Sequence, residues 1–172
     1  MATEGGTAPP LTLAEARGYI DRALEKAREL GQRGTFVVVD EGGNVVSISR
    51  IEGAPLAGIG VSRAKAYAAA VTHEPTAQFS ERMHRFPERF QSYETILPEH
   101  LFPGPGGMPI VREGRVVGGM STGPGIRPWT QVPGLDPAKL TVNGELANVE
   151  DLIIAYALDI PYQNQHVGQE VH

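Results

Sequence analysis

Apolar residues recur along this chain in distinct rhythms, and each rhythm predicts an element. From Thr12 to Gly31 they fall at Leu13, Ala16, Ile20, Ala23, Leu24, Ala27 and Leu30, which places them on one helical face. Thr12 and Glu15 form a capping box at the start of that helix, and Gly31 is placed to end it. Arg17, Asp21, Arg22, Glu25 and Lys26 make its solvated side. The rhythm then shortens. Thr35–Asp40 and Val45–Arg50 are β-rich runs joined through Glu41-Gly42-Gly43-Asn44, an antiparallel hairpin. Val61–Thr72 returns to helix, with Ala64, Ala66, Ala68, Ala69 and Ala70 small enough for a close helix–sheet or subunit contact.

Pro75 can open a further helix, so Gln78–Met83 and Pro87–Glu94 read as two short ones. They carry Phe79, Phe86, Phe90 and Tyr93, a cluster better explained by core packing than by a cofactor box. Met108–Val111 and Arg115–Met120 flank Arg112-Glu113-Gly114 as a second hairpin. Glycines on both shoulders, Gly106 and Gly107 before it and Gly118 and Gly119 within it, expose backbone N–H groups that can receive a small anionic or planar ligand; they equally suit a tight loop and a bulge. Residues 123–143 form a proline-rich irregular excursion in which Trp129, Ile126, Val132 and Leu135 predict a docking lid or arm. Asn148 caps a last helix, Val149–Leu158. Residues 1–10 read as a disordered leader, 11–160 as a single domain and 161–172 as a polar tail.

Composition narrows the function. A net charge of -5 without any basic block argues against nucleic acid or an anionic membrane as partner. The absence of cysteine removes disulfides, thiolate catalysis and iron–sulfur clusters. The first ten residues do not resemble a secretory signal and no run approaches transmembrane length, so the default expectation is cytoplasmic. There is no HExxH, P-loop, GxGxxG or GxSxG motif.

Three stretches in order, VVVDEGGNVVSISRIEGAP (37–55), SRAKAYAAA (62–70) and PGGMPIVREGRVVGGMSTG (105–123), resemble the GlcG/HbpS-like family of haem-binding or haem-degrading domains. That family includes the C-terminal domain of a two-domain corrinoid adenosyltransferase. The resemblance implies an α/β (α+β) class: a profilin-like antiparallel sheet flanked by helices, assembled into dimers or larger rings. It also implies a small-molecule ligand, with haem possible. In at least some haem-binding relatives the first helix supplies an axial histidine; residues 12–30 here hold none, and Tyr19 is their only aromatic side chain.

His73, at a helix end beside Glu74, reads either as a metal ligand or acid–base group, or as an imidazole that the helix dipole favours. His84, among Arg82, Arg85, Glu81 and Glu88, reads as a surface residue, and His166 and His172 belong to the tail. Glu99 and His100 stand before the glycine shoulder, where a carboxylate and an imidazole can meet a ligand held by the Gly106 and Gly107 amides. Arg50 and Lys65 lie in the family stretches and can hold a carboxylate or propionate, or form ion pairs with Asp40 or Glu52. Thr122 ends the second hairpin. Two functions are carried forward. One is an oligomeric protein binding haem or a related small ligand, with His73 or His100 as axial donor. The alternative is a cofactor-independent isomerase, lyase or hydrolase of a small oxygenated or aromatic acid, with His100 as general acid or base, Glu99 orienting it, Arg50 as carboxylate anchor and the Gly106 and Gly107 amides as oxyanion donors.

Overall fold

The computed structural model describes residues 8–123, 134 and 136–162. Helix α1 (Leu13–Glu29) begins at the expected capping box, with the Thr12 hydroxyl accepting from the Glu15 N–H and the Glu15 carboxylate accepting from the Thr12 N–H. Strands β1 (Thr35–Asp40) and β2 (Val45–Arg50) follow, then α2 (Gly58–Thr72), α3 (Thr76–Arg85), α4 (Pro87–Ile96), β3 (Gly107–Arg112), β4 (Arg115–Thr122) and α5 (Val149–Leu158). Helix α2 starts three residues before the apolar run at Val61, because Gly58, Ile59 and Gly60 complete its first turn.

Four strands make one antiparallel sheet in the order β2-β1-β4-β3. The class is α+β, an antiparallel sheet with helices against it, as the family resemblance implied. Strand alternation decides which face each residue serves. Phe36 and Val38 of β1, Met120 of β4 and Met108 and Ile110 of β3 join Ala16, Ile20, Ala23 and Ala27 of α1 and Ile153 and Ile154 of α5. Val37 and Val39 turn the other way, onto Ala66 and Ala70 of α2. The sheet is therefore covered on both faces, which explains why β1 is apolar at consecutive positions.

The alanines of α2 allow an unusually close approach. A Cβ at Gly119 would lie 2.3 Å from the Ala66 carbonyl oxygen and 3.0 Å from the Ala70 nitrogen, so this glycine lets helix backbone meet strand backbone. The tight helix–sheet contact expected of the alanine run is present. Phe79 is buried in a second cluster with Tyr67, Met83 and Leu101, against which Phe90 and Tyr93 pack, so these aromatics are core.

The excursion needs a correction. Its later part is ordered into a 3-10 turn at Pro137–Leu140 and a short hairpin, β5 (Thr141–Val142) with β6 (Glu145–Leu146). Asn143 (φ 54°) and Gly144 (φ 84°) make its two-residue turn, a pairing that suits consecutive left-handed residues. Trp129, Ile126, Val132 and Leu135 lie outside the described residues, as does most of the tail.

Replacing Gly119 by alanine should lower stability by about 1–3 kcal/mol, the usual cost of overpacking a tight contact. Thermal melting of Gly119→Ala beside the wild type reads this directly; an unchanged melting temperature would show that α2 and β4 can move apart freely.

Candidate functional site

Among the described residues, chemistry-bearing groups come together at two places near the sheet ends. The first is buried at the end of the sheet. Lys65 leaves α2 on one face and reaches Glu150, in the first turn of α5 on the other; Nζ and Oε2 are 2.5 Å apart. Nζ also lies 3.4 Å from the Thr122 carbonyl oxygen and 5.7 Å from the centre of the Phe102 ring. Gly106 (φ 96°) makes the crossing possible, since a Cβ there would stand 2.5 Å from Glu150 Oε2. Its N–H donates to Asp151 Oδ1 at 2.7 Å, and the Gly107 N–H donates to Thr76 Oγ1 at 2.9 Å. Both amides expected to serve a ligand are thus already engaged by the protein. Burial pushes the Glu150 carboxyl above the usual range; Lys65 opposes that rise and the charge of Asp151 adds to it. The short contact and the upward shift look contradictory, and desolvation is the larger effect. The Thr122 hydroxyl is buried without a hydrogen-bond partner among the described residues.

The other expected residues are dispersed. Arg50 donates to the Ala54 carbonyl oxygen at 2.8 Å and forms no ion pair with Asp40 or Glu52 among the described contacts. Glu99 pairs with Arg63 at 2.5 Å instead of orienting His100. His100 has its Nδ1 2.8 Å from Glu94 Oε2, and the other Glu94 oxygen accepts from the Leu101 N–H at 2.8 Å. Glu94 is therefore the partner that sequence order hid: helix α4 brings it back over the loop, six positions from His100. The His100 side chain is 87% exposed.

The second place is the outer edge of β3. An apolar cleft of about 250 Å³ lies between α1, β3 and the end of α5, lined by Tyr19, Met108, Ile110, Val111, Leu158 and Ile160 among others. Val111 also borders a larger, open cavity of about 600 Å³ with Val116, Gly114, Glu41, His73 and Arg115. His73 reaches this position because it ends α2 in the left-handed conformation, φ 60°, which turns the chain toward Pro75 and α3. Tyr19 and Arg115 were not singled out for this edge by sequence; only the fold brings Arg115 beside His73 and Tyr19 to the neighbouring cleft.

Residues 11–125 match the family described as haem-degrading protein HbpS-like. That is more than half of the chain. The chain belongs to the HbpS-like family. A Citrobacter freundii protein described as an uncharacterized 15.0 kDa protein in the dhaT-dhaS intergenic region is 27% identical over 115 residues, covering 67% of this chain and 80% of the relative. Among solved structures, a double mutant of Streptomyces reticuli HbpS superposes with a TM-score of 0.68 at 23% identity, covering 92% of this chain and 94% of that one. A PduOC:heme complex gives 0.66 at 18% identity, with 88% and 94% covered. These structural likenesses establish the fold, which this HbpS-like chain shares across nearly its whole described length.

Haem would require an apolar wall, an axial oxygen or nitrogen donor and cations for its carboxylates. The β3 edge of this HbpS-like chain fits those needs: Met108–Val111, Leu158 and Ile160 supply the wall, Tyr19 or His73 a donor, and Arg115 a guanidinium with no ion-pair partner among the described residues. The apolar cleft alone falls below the roughly 300–1,000 Å³ of ordinary ligand pockets, whereas the cavity on the other side of Val111 lies within that range. His100 borders neither space.

The buried bridge yields two stability predictions. Lys65→Met and Glu150→Leu should each cost about 3–5 kcal/mol by stranding a buried charge, while the double variant should cost far less than their sum; additive denaturation free energies would contradict the coupling. A carboxyl raised by folding holds its proton more tightly in the folded than in the unfolded chain. Its contribution is therefore fully present below the unfolded value and is lost as pH rises through the folded one. Urea unfolding across pH 4 to 7 should show this downward slope in the wild type relative to Glu150→Leu, and parallel curves would contradict it.

Proposed function

We propose that the protein binds a haem-like tetrapyrrole along the β3 edge. One observation carries the reading: the apolar cleft beside Tyr19 and the open cavity that holds His73 and Arg115 share Val111 in their walls. The HbpS-like family match and the heme-complex neighbour support it. In this reading Met108–Val111 would wall the macrocycle, Tyr19 or His73 would be the donor to its iron, and Arg115 would hold a carboxylate by charge-assisted hydrogen bonds. Bound iron would supply Lewis-acid and redox chemistry, and the apolar wall would keep water from one side of the ring. Exposed Val45 and Ile48 on β2 and Leu56 and Ile59 near the start of α2 are consistent with self-association, which we include in the proposal.

A second reading, proton transfer on a small organic acid, is favoured by the Glu94–His100 contact. Glu94 holds one imidazole nitrogen and leaves the other to exchange a proton with a substrate. Glu94, not Glu99, is then the positioning residue. The anchor and oxyanion donors expected for this chemistry are not assembled around His100, so the tetrapyrrole reading ranks first.

Titration of the purified chain with hemin should give a saturable Soret change. Tyr19→Phe or His73→Ala should alter the band position by removing the axial atom, and Arg115→Glu should weaken binding by about tenfold, the scale of one charge-assisted contact. No saturable change, or spectra and affinities identical in all three variants, would overturn the assignment.

A further inference from the structure

We infer that the depression between α3, α4 and Pro103 is a second binding site, for a single-ring phenol. It is lined by Met83, His84, Pro87, Phe90, Gln91 and Pro103 and offers about 280 Å³ of space open to solvent. Met83 is 4% exposed and Phe90 packs on the same buried cluster, so the floor is a fixed apolar surface. His84 supplies the directional element. Its Nδ1 lies 2.8 Å from the Ser80 carbonyl oxygen, one helical turn back. A carbonyl oxygen can only accept, so Nδ1 carries the proton; the neutral ring then has its lone pair on Nε2. The Ser80 hydroxyl, 3.5 Å from the same Nδ1, does not change this assignment because it can accept as well as donate.

The pocket therefore combines an aromatic and proline wall, a polarizable thioether and one hydrogen-bond acceptor of defined tautomer. A phenol matches each part. Its ring lies against Phe90, Pro87 and Pro103, and its O–H donates to His84 Nε2. The volume suits one ring, and the depression shares no lining residue with the two spaces at the β3 edge. The helical surface position of His84 among charged neighbours concealed it in the sequence, because Pro103 and Phe90 come alongside only through the fold.

The test titrates the full chain with phenol and, separately, with toluene, following the His84 imidazole protons and ligand saturation transfer by NMR. Phenol should shift the His84 resonances saturably with a Kd on the order of a millimolar, as expected for a ligand of this size. Toluene should bind several-fold more weakly, since it lacks the donor. In His84→Ala, whose parent side chain is exposed, the phenol signal should fall to the toluene level without a change in melting temperature. Equal affinity for phenol and toluene, an undiminished phenol signal in His84→Ala, or no saturable shift would each overturn the proposal. The toluene comparison needs only the wild-type protein, so it decides the matter even if the variant misfolds.

Discussion

The contact between Lys65 and Glu150 joins the two helical layers around the end of the sheet. Each layer has its own apolar reason to cover a face, but this bridge connects α2 directly to α5. It demands a glycine at 106, because any side chain there would occupy the place of the Glu150 carboxylate. It also demands that Asp151 find a donor of its own, which the Gly106 N–H provides. A buried ion pair adds little net stability, since desolvation offsets much of the attraction. Breaking it from one side is costly, because a chain that misplaces α5 leaves the Lys65 ammonium buried without its carboxylate.

The same arrangement separates structural from accessible chemistry. Several polar groups at the Gly106 end of the sheet are engaged within the protein: Ser62 Oγ donates to the Thr35 carbonyl, Ser121 Oγ donates to the Ser62 carbonyl, and both shoulder glycines donate to side chains. The opposite part of β3 is different. Val111 is 58% exposed, Pro109 removes a backbone donor from an edge strand, and the register shifts between Ile110 and Val111. Proline and a bulge discourage another strand from pairing there, which leaves the edge available to a ligand with an apolar face.

Much of the fold was legible from local rules. The Thr12–Glu15 box, the apolar stripe of α1, the two hairpins and the Asn148 cap each depend on neighbours within a few positions, and each is found where those rules put it. The Asn143-Gly144 turn was equally local, yet its strands of two residues are too short to show an alternating pattern. The candidate site was less legible. Lys65 Nζ and the Thr122 carbonyl oxygen lie 3.4 Å apart, but the Glu150 that neutralises Lys65 comes from 85 positions away. Glu94 displaced Glu99 as the partner of His100 for the same kind of reason: adjacency along a chain does not determine adjacency in a folded loop.

By itself, the sequence determined the longer helices and the two main hairpins, their order, the apolar stripe of α1 and the family to which the chain belongs, because periodicity, capping and turn chemistry act over a few residues at a time. Only the tertiary structure decided which charges are neutralised, which glycine amides are occupied and which aromatic and imidazole groups share a cavity. Those outcomes depend on separations of a few ångströms between residues tens of positions apart. Packing of whole helices against the sheet sets such separations, and no local pattern encodes them.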